Sequence, residues 1–306
     1  MSDLPCYDVL LFDGYFCDLI VTGLPEPPRL GADLFGTGMG ITAGGTFNVV
    51  RALHRLGLQV GWACDFGNDL FSQFVLAEVR KEGVDTGLLR LQDRPVRAFS
   101  LAFSFSDDRG FISYMDQMER YPRLPYIDNY RPRCVLLHDL GDRPALLELA
   151  PTVHQHGGLL CLDCQSTNLD LDTPGLVVAL QAVDVFLPNE SEACQLTGAC
   201  SAEQAAEILA AYTPLVVIKL GARGALAQAG DCQVHSPALP VAVLDTTGAG
   251  DCFNAGFLYS HLRGDSLETS LRYGNICGGL STTAYGTEAT PTLAEVERVL
   301  QRLEGE

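Results

Sequence analysis

The chain has 306 residues, 47% of them hydrophobic, enough to build one large core. Its formal net charge of −18 argues against nucleic acid or an anionic membrane surface as a partner, because both require a basic face. Lys81 and Lys219 are the only lysines, so an anionic ligand must lean on arginine, backbone amides or a metal.

The N-terminal stretch MSDLPCYDVLLFDG lacks the basic region and long apolar run of a secretory signal. No run approaches 18 apolar residues, so no membrane span is expected. A cytoplasmic protein with eleven free, mostly buried thiols is the simple expectation.

In chain order, a buried strand is expected at 8–14. Residues 15–40 then carry Pro25, Pro27 and Pro28 and show no helical period. A helix at 47–57, a strand at 59–65 and a helix at 70–83 follow, with Gly57 and Gly83 where a helix C-terminal glycine belongs. Residues 95–115 alternate small or polar with aromatic residues around Asp107-Asp108-Arg109-Gly110, a hairpin signal. Strands are expected at 134–140, 158–163, 183–188 and 214–221, with helices at 144–157 and 202–212. Beyond 240 the pattern turns helical, at about 249–263, 266–284 and 292–303.

Short apolar strands alternating with helices predict an α/β fold, an open, mostly parallel sheet covered by helices. The two interrupting stretches, about 15–40 and 95–115, suit a small β lid over the carboxyl edge of that sheet, where such folds bind ligands. No linker or repeat divides the chain, so one domain over 1–306 is expected. The lone pair Cys161 and Cys164 reads as two thiols on a buried strand, and His154-Gln155-His156 as a solvated helix end. Gly36-Thr37-Gly38-Met39-Gly40 does not join a strand to a helix, so dinucleotide binding is rejected and a lid hinge expected.

The stretch DTTGAGDCFNAGFLYSHL at 245–262 carries the chemistry. Gly248 and Gly250 leave no side chain to block a ligand, and the amides of 248–251 open a helix whose unpaired donors favour an anion. Asp251 lies in the first turn, within reach of whatever those amides hold. An anion cradle beside a carboxylate is equipment for moving a phosphoryl group onto an alcohol. On the loop alone, a carboxylate that merely complements the helix dipole is an equally good explanation.

The motif resembles the signature of the ribokinase-like carbohydrate kinases, the phosphofructokinase B family. Further segments resemble that family in order: AGGTFNVVRALHRLG (43–57), GNDLF (67–71), PNESEACQLTG (188–198), VIKLGARGA (217–225) and NICGGLSTTAYGTEATP (275–291). The resemblance implies a ribokinase-like fold with a small β lid, and transfer of the ATP γ-phosphoryl to a sugar hydroxyl. It implies Asp251 as the base and Gly248, Ala249 and Gly250 as the anion hole. It assigns Asp18, Gly44, Gly45 and Asn48 to the sugar, and Asn189, Lys219, Gly221, Gly224 and Asn275 to the nucleotide. Glu192 would organise Mg²⁺ through water, and Asp245 and Thr247 part of a monovalent-cation (K⁺) site found in some members. Each has a plainer alternative: Asn189 and Glu192 form a capping box, Lys219 ends a strand at the surface, and Asn275 decorates a helix.

Two departures fall on the acceptor side. Two residues rather than three separate Gly45 from Asn48, so Ala43-Gly44 is the alternative glycine pair. Asp163-Cys164-Gln165 replaces the D-x-N common in fructokinase-like members. A neutral sugar is the expected acceptor, since two lysines are few for a phosphosugar, although Arg97 and Arg109 on the hairpin could bind one. The alternatives are an adenosine-like nucleoside, stacked on Phe99, Phe103 or Phe105, and a non-catalytic sensor on the same fold. Lid closure would exclude water, and the lid's apolar face suggests a homodimer.

Overall fold

A computed structural model describes residues 6–105, 108–118, 121–165, 168–284, 286 and 288–305. The chain divides into two compact units, the first comprising 1–12, 52–61 and 122–306, the second 13–51 and 62–121. Both stretches that interrupt the strand–helix rhythm fall in the second unit.

The first half of the chain carries β1 (Val9–Leu11), β2 (Tyr15–Thr22), β3 (Gly38–Gly45), α1 (Thr46–Arg55), β4 (Val60–Trp62), β5 (Asp65–Phe66), α2 (Leu70–Glu82), β6 (Arg90–Leu91), β7 (Ala98–Phe105) and β8 (Asp108–Met115). Next come α3 (Arg123–Tyr130), β9 (Cys134–Leu137), α4 (Arg143–Gln155), β10 (Leu159–Asp163), α5 (Leu176–Gln181), β11 (Val185–Leu187), α6 (Glu190–Thr197) and α7 (Ala202–Leu209). The chain closes with β12 (Leu215–Lys219), β13 (Ala225–Ala229), β14 (Cys232–Ser236), α8 (Ala249–Leu262), α9 (Leu267–Ser281) and α10 (Leu293–Glu304).

An eight-stranded sheet runs in the order β14-β13-β12-β11-β10-β9-β1-β4. Strands β1, β9, β10, β11 and β12 are parallel, and their apolar side chains are buried because helices cover such sheets. The mostly parallel α/β architecture expected from the sequence is the one observed. Strands β13 and β14 form an antiparallel hairpin that the apolar pattern does not announce. Alanine-rich ALAQA has little strand propensity, and only the two-residue Gly230-Asp231 turn signals the hairpin.

In the second unit, β3-β2-β7-β8 form a four-stranded sheet. The expected hairpin is present, but Phe105 pairs with Asp108, so Asp108, Arg109 and Gly110 belong to the strand rather than the turn. The Arg109 side chain lies outside the described positions. Gly38-Met39-Gly40, expected as a hinge, opens β3 and pairs with Ile20, Val21 and Thr22. The aromatic core of this unit stacks Tyr15 on Phe66 at 4.7 Å and Phe47 on Trp62 at 5.8 Å. The Trp62 indole N–H donates to the Asp13 carbonyl at 2.8 Å, which satisfies its one polar atom.

Pro125 hid α3 from the sequence pattern. It sits in the first turn, where its missing N–H would have had no intrahelical acceptor. Strands are shorter than the apolar runs that predict them. Strand β9 stops at Leu137, so His138 and Asp139 leave the ladder at the carboxyl edge of the sheet.

Candidate active site

Parallel strands deliver their C-terminal residues to one edge, and here that edge is polar. Asp163 ends β10, Asn189 follows β11 and Lys219 ends β12. Asn189 and Lys219 are bridged as neighbours across the two strands. The Lys219 ammonium donates to Asp163 Oδ1 at 2.7 Å and to Asn254 Oδ1 at 3.3 Å. Its side chain is only 13% exposed, which excludes the surface-lysine alternative.

Helix α8 opens at Gly248, whose φ of 73° lies in the left-handed region that a side chain disfavours. The Ala249 amide turns back to Thr246 O at 3.2 Å, and Asp251 sits in the first turn. One ring nitrogen of His138, one carboxylate oxygen of Asp163 and one of Asp251 lie within 4.8 Å of one another. His138 and Asp163 are buried, as is Asn254, one turn beyond Asp251. Asn254 Nδ2 has no acceptor among the described residues.

The helix is held by close packing. A Cβ added at Gly256 would stand 2.6 Å from the Tyr273 carbonyl and 2.7 Å from Cys277 Sγ, so α8 and α9 approach at backbone distance. Beside this pair lies a cavity of about 430 Å³ lined by Lys219, Gly221, Gly224, Ala249, Gly250 and Asn275, with apolar walls from Leu239, Val241, Val243 and Phe253. That volume falls within the range of about 300–1,000 Å³ typical of small-molecule pockets.

Asn275 lines the cavity, and its Nδ2 donates to the carbonyls of Ser236 at 3.0 Å and Pro237 at 3.1 Å. It therefore anchors the segment that forms the adjoining wall. Asn189 Oδ1 accepts from the Glu192 amide at 2.9 Å, and Glu192 Oε2 accepts from the Asn189 amide at 2.8 Å, a complete capping box. Burial pushes the Glu192 carboxyl above its ordinary value, and the Asp163 carboxylate adds in the same direction. The Asn189 amide and Lys219 pull it back. Asp245 Oδ1 accepts from the Thr247 amide and hydroxyl at 2.9 and 2.8 Å, while Oδ2 accepts from the Gly286 amide at 2.8 Å. It thus ties the loop before α8 to residue 286. Tyr285 and Thr287 of the last family-like segment lie outside the described residues, as do Ser166 and Thr167 after Asp163.

In the second unit Asp18 pairs across the ladder with Thr42, and a Cβ added at Gly44 would come within 2.0 Å of Asp18 Oδ2. Gly45, at φ 65°, instead packs against the backbone of Tyr15 and Phe16, and Asn48 is buried on α1. Gly44 is thus the glycine that meets Asp18. Arg97 is committed to Asp116 through Nε and Nη2, both at 3.1 Å. Phe99 stacks between Phe71 and Tyr114, and Phe103 covers Gly110.

His138, Asp163 and Asn254 were not singled out as site residues from the sequence. The signal was there for two of them. Each apolar run, CVLL and LLCL, is followed by a polar residue, His138 and Asp163, one position beyond the paired Leu137 and Leu162. Cys161 and Cys164 are buried free thiols; the Cys134 thiol and then burial push Cys161 up, and burial pushes Cys164 up. His154 and His156, near the end of α4, face Asp184 and Asp128 at 2.8 and 2.9 Å.

An α/β fold with a glycine-opened helix, a first-turn carboxylate and a buried lysine at the sheet edge defines a class, the small-molecule kinases. Residues 34–293 match the family described as pfkB family carbohydrate kinase. The chain is 27% identical over 292 residues to the ribokinase of Bacillus subtilis, covering 92% of this chain and 96% of that one. It is 30% identical over 263 residues to the 2-dehydro-3-deoxygluconokinase of the same organism (80% and 81% covered). Over 263 residues it is 29% identical to the aminoimidazole riboside kinase of Salmonella typhimurium (79% and 82%). Arabidopsis thaliana ribokinase, solved with ribose and ATP, shares the fold at a TM-score of 0.81 and 21% identity, with 97% of this chain and 99% of that one covered. The chain belongs to the pfkB family of carbohydrate kinases. It is a phosphotransferase with an alcohol group as acceptor. Among the described residues no helix is long and apolar enough to cross a membrane.

Proposed function

We propose that this protein transfers the γ-phosphoryl of ATP to a hydroxyl of a small neutral sugar. The observation that carries the proposal is Asp251 in the first turn of α8, gathered with His138 and Asp163 beside the glycine-lined cavity. The cavity fits a nucleotide in character: apolar walls suit a flat base, and Lys219 with the first-turn amides of α8 suits an anionic tail.

ATP supplies the phosphoryl group, and Mg²⁺, when bound, neutralises phosphate charge. Asn189 and Glu192 would organise the Mg²⁺ water shell, and Asp245 and Thr247 would contribute to a K⁺ site. Gly221, Gly224, Lys219 and Asn275 would hold the nucleotide. The backbone amides of Gly248 and Gly250, joined by that of Ala249 once it leaves the Thr246 carbonyl, would donate to phosphoryl oxygens, where negative charge builds during transfer. Asp251 would accept the proton of the acceptor hydroxyl. Asp18, Gly44, Gly45 and Asn48 would bind the sugar hydroxyls.

Two side-chain commitments favour a neutral acceptor over the alternatives. The guanidinium of Arg97 is occupied by Asp116, which leaves it poorly placed to serve a phosphosugar. Phe99 is stacked between Phe71 of α2 and Tyr114 of β8, and Phe103 covers Gly110, rather than either being left to stack on a base, which weighs against a nucleoside. The name of one relative, a ribokinase, supports the same choice, whereas a 2-dehydro-3-deoxygluconokinase points to a carboxylate-bearing sugar acid and an aminoimidazole riboside kinase to a nucleoside.

The test is ADP formation with D-ribose, D-fructose, 2-dehydro-3-deoxygluconate, fructose 6-phosphate or adenosine. A free sugar is expected to raise turnover above the ATPase background. Stimulation by 2-dehydro-3-deoxygluconate, fructose 6-phosphate or adenosine alone would overturn the neutral-sugar class, and no stimulation at all would favour a sensor. Asp251→Asn should cut transfer by about 10²- to 10⁴-fold while ATP still binds.

A further inference from the structure

His138 has no place in the mechanism above, yet it is one of the three side chains that converge on the transfer site. It follows β9 directly, one position beyond Leu137, whose partner Leu162 precedes Asp163, and its ring lies within 4.8 Å of that carboxylate. It is 5% exposed, so burial by itself opposes the charged ring and the facing carboxylates must outweigh that penalty. Asp139 is next to it in the chain, and Asp163 from the end of β10 and Asp251 from α8 face it; Lys219 from β12 bonds that same Asp163, and Cys164 and Glu192 lie on the Asp163 side in turn.

Asp163 and Asp251 bring two carboxylates within 4.8 Å, and the Lys219 ammonium sits against Asp163 and Asn254. Two like charges this close oppose each other's ionisation, and a general base must be ionised before it can accept a proton. Histidine is the side chain whose charge a modest field can set near neutrality.

We propose that His138 is a positioning residue for Asp251, its imidazolium balancing the second carboxylate and holding Asp251 as the anion. An opposite charge at 4–6 Å typically shifts a partner by about 1–3 pH units. Lys219 neutralises Asp163, and His138 does the same for the base. The inference rests on Asp251 being the base, but its test needs no acceptor.

The test is a ¹⁵N NMR titration of the histidine rings in the intact, ligand-free protein, with His138→Gln assigning the His138 signal. His138 is expected to titrate at least one unit above the ordinary value of about 6.5. In Asp251→Asn the midpoint should fall by about one unit, because the facing anion is gone. Asp163→Asn should lower it as well, and serves if Asp251→Asn does not fold. A midpoint that stays put in a folded Asp251→Asn protein, or a ring that remains neutral from pH 5 to 8 in the wild type, overturns the proposal. A histidine that merely packs the core would show no response to Asp251→Asn. Failure of the sugar screen would leave this measurement standing.

Discussion

The Lys219 ammonium lies 2.7 Å from the Asp163 carboxylate, joining the carboxyl ends of β12 and β10 across the intervening β11. Both side chains are nearly buried, 13% and 11% exposed, so each is the other's compensating charge. Truncating one partner leaves the other uncompensated. Lys219→Met is therefore expected to cost about 3 kcal/mol in urea unfolding, and Asp163→Asn in the same background to recover part of it. Equal stability of Lys219→Met and the wild type would show that the pair is held for function alone.

Asp18 and Gly44 make the corresponding contact in the second unit. A methyl at position 44 would fall 2.0 Å from Asp18 Oδ2, so Gly44→Ala must rotate the carboxylate away. The expected consequence is a rise of about tenfold in KM for the sugar, equivalent to about 1.4 kcal/mol, with KM for ATP unchanged. Steady-state kinetics with each substrate varied in turn would separate the two. A matching rise in both constants would mean that Asp18 does not act on the acceptor.

His261 carries a pH signature independent of the site. Stacked on Phe257 at 5.3 Å near the end of α8, it is half-buried, and burial lowers it from its ordinary value of 6.5. Because the folded state disfavours the charged ring, the unfolded chain takes up the proton first as pH falls. The stability due to the neutral ring is thus complete above pH 6.5 and lost progressively as pH drops toward the folded value. His261→Phe, which keeps the stack and removes the titration, should flatten stability against pH in that window. Denaturant midpoints at pH 5.0, 6.0 and 7.5 would check it.

Much of this molecule is legible along the chain. The apolar runs at 8–14, 134–140 and 158–163 announce buried parallel strands because such strands have no solvent face to mark with polar residues. Gly248 through Asp251 announce a helix start suited to an anion, since both the glycine and the first-turn carboxylate are local features. The β13–β14 hairpin and α3 were obscured, one by alanine-rich strands and the other by a first-turn proline.

The sequence by itself determined the fold class, the family and the loop that carries Asp251, because those are written in local spacing and periodicity. Only the tertiary structure decided which partners Asp251 and Lys219 keep. His138, Asp163, Lys219 and Asp251 are spread over 114 residues, from 138 to 251. They meet because parallel strands discharge their C-terminal residues at one edge and α8 begins there. Strand register is a long-range property, set by packing between segments that no local window contains.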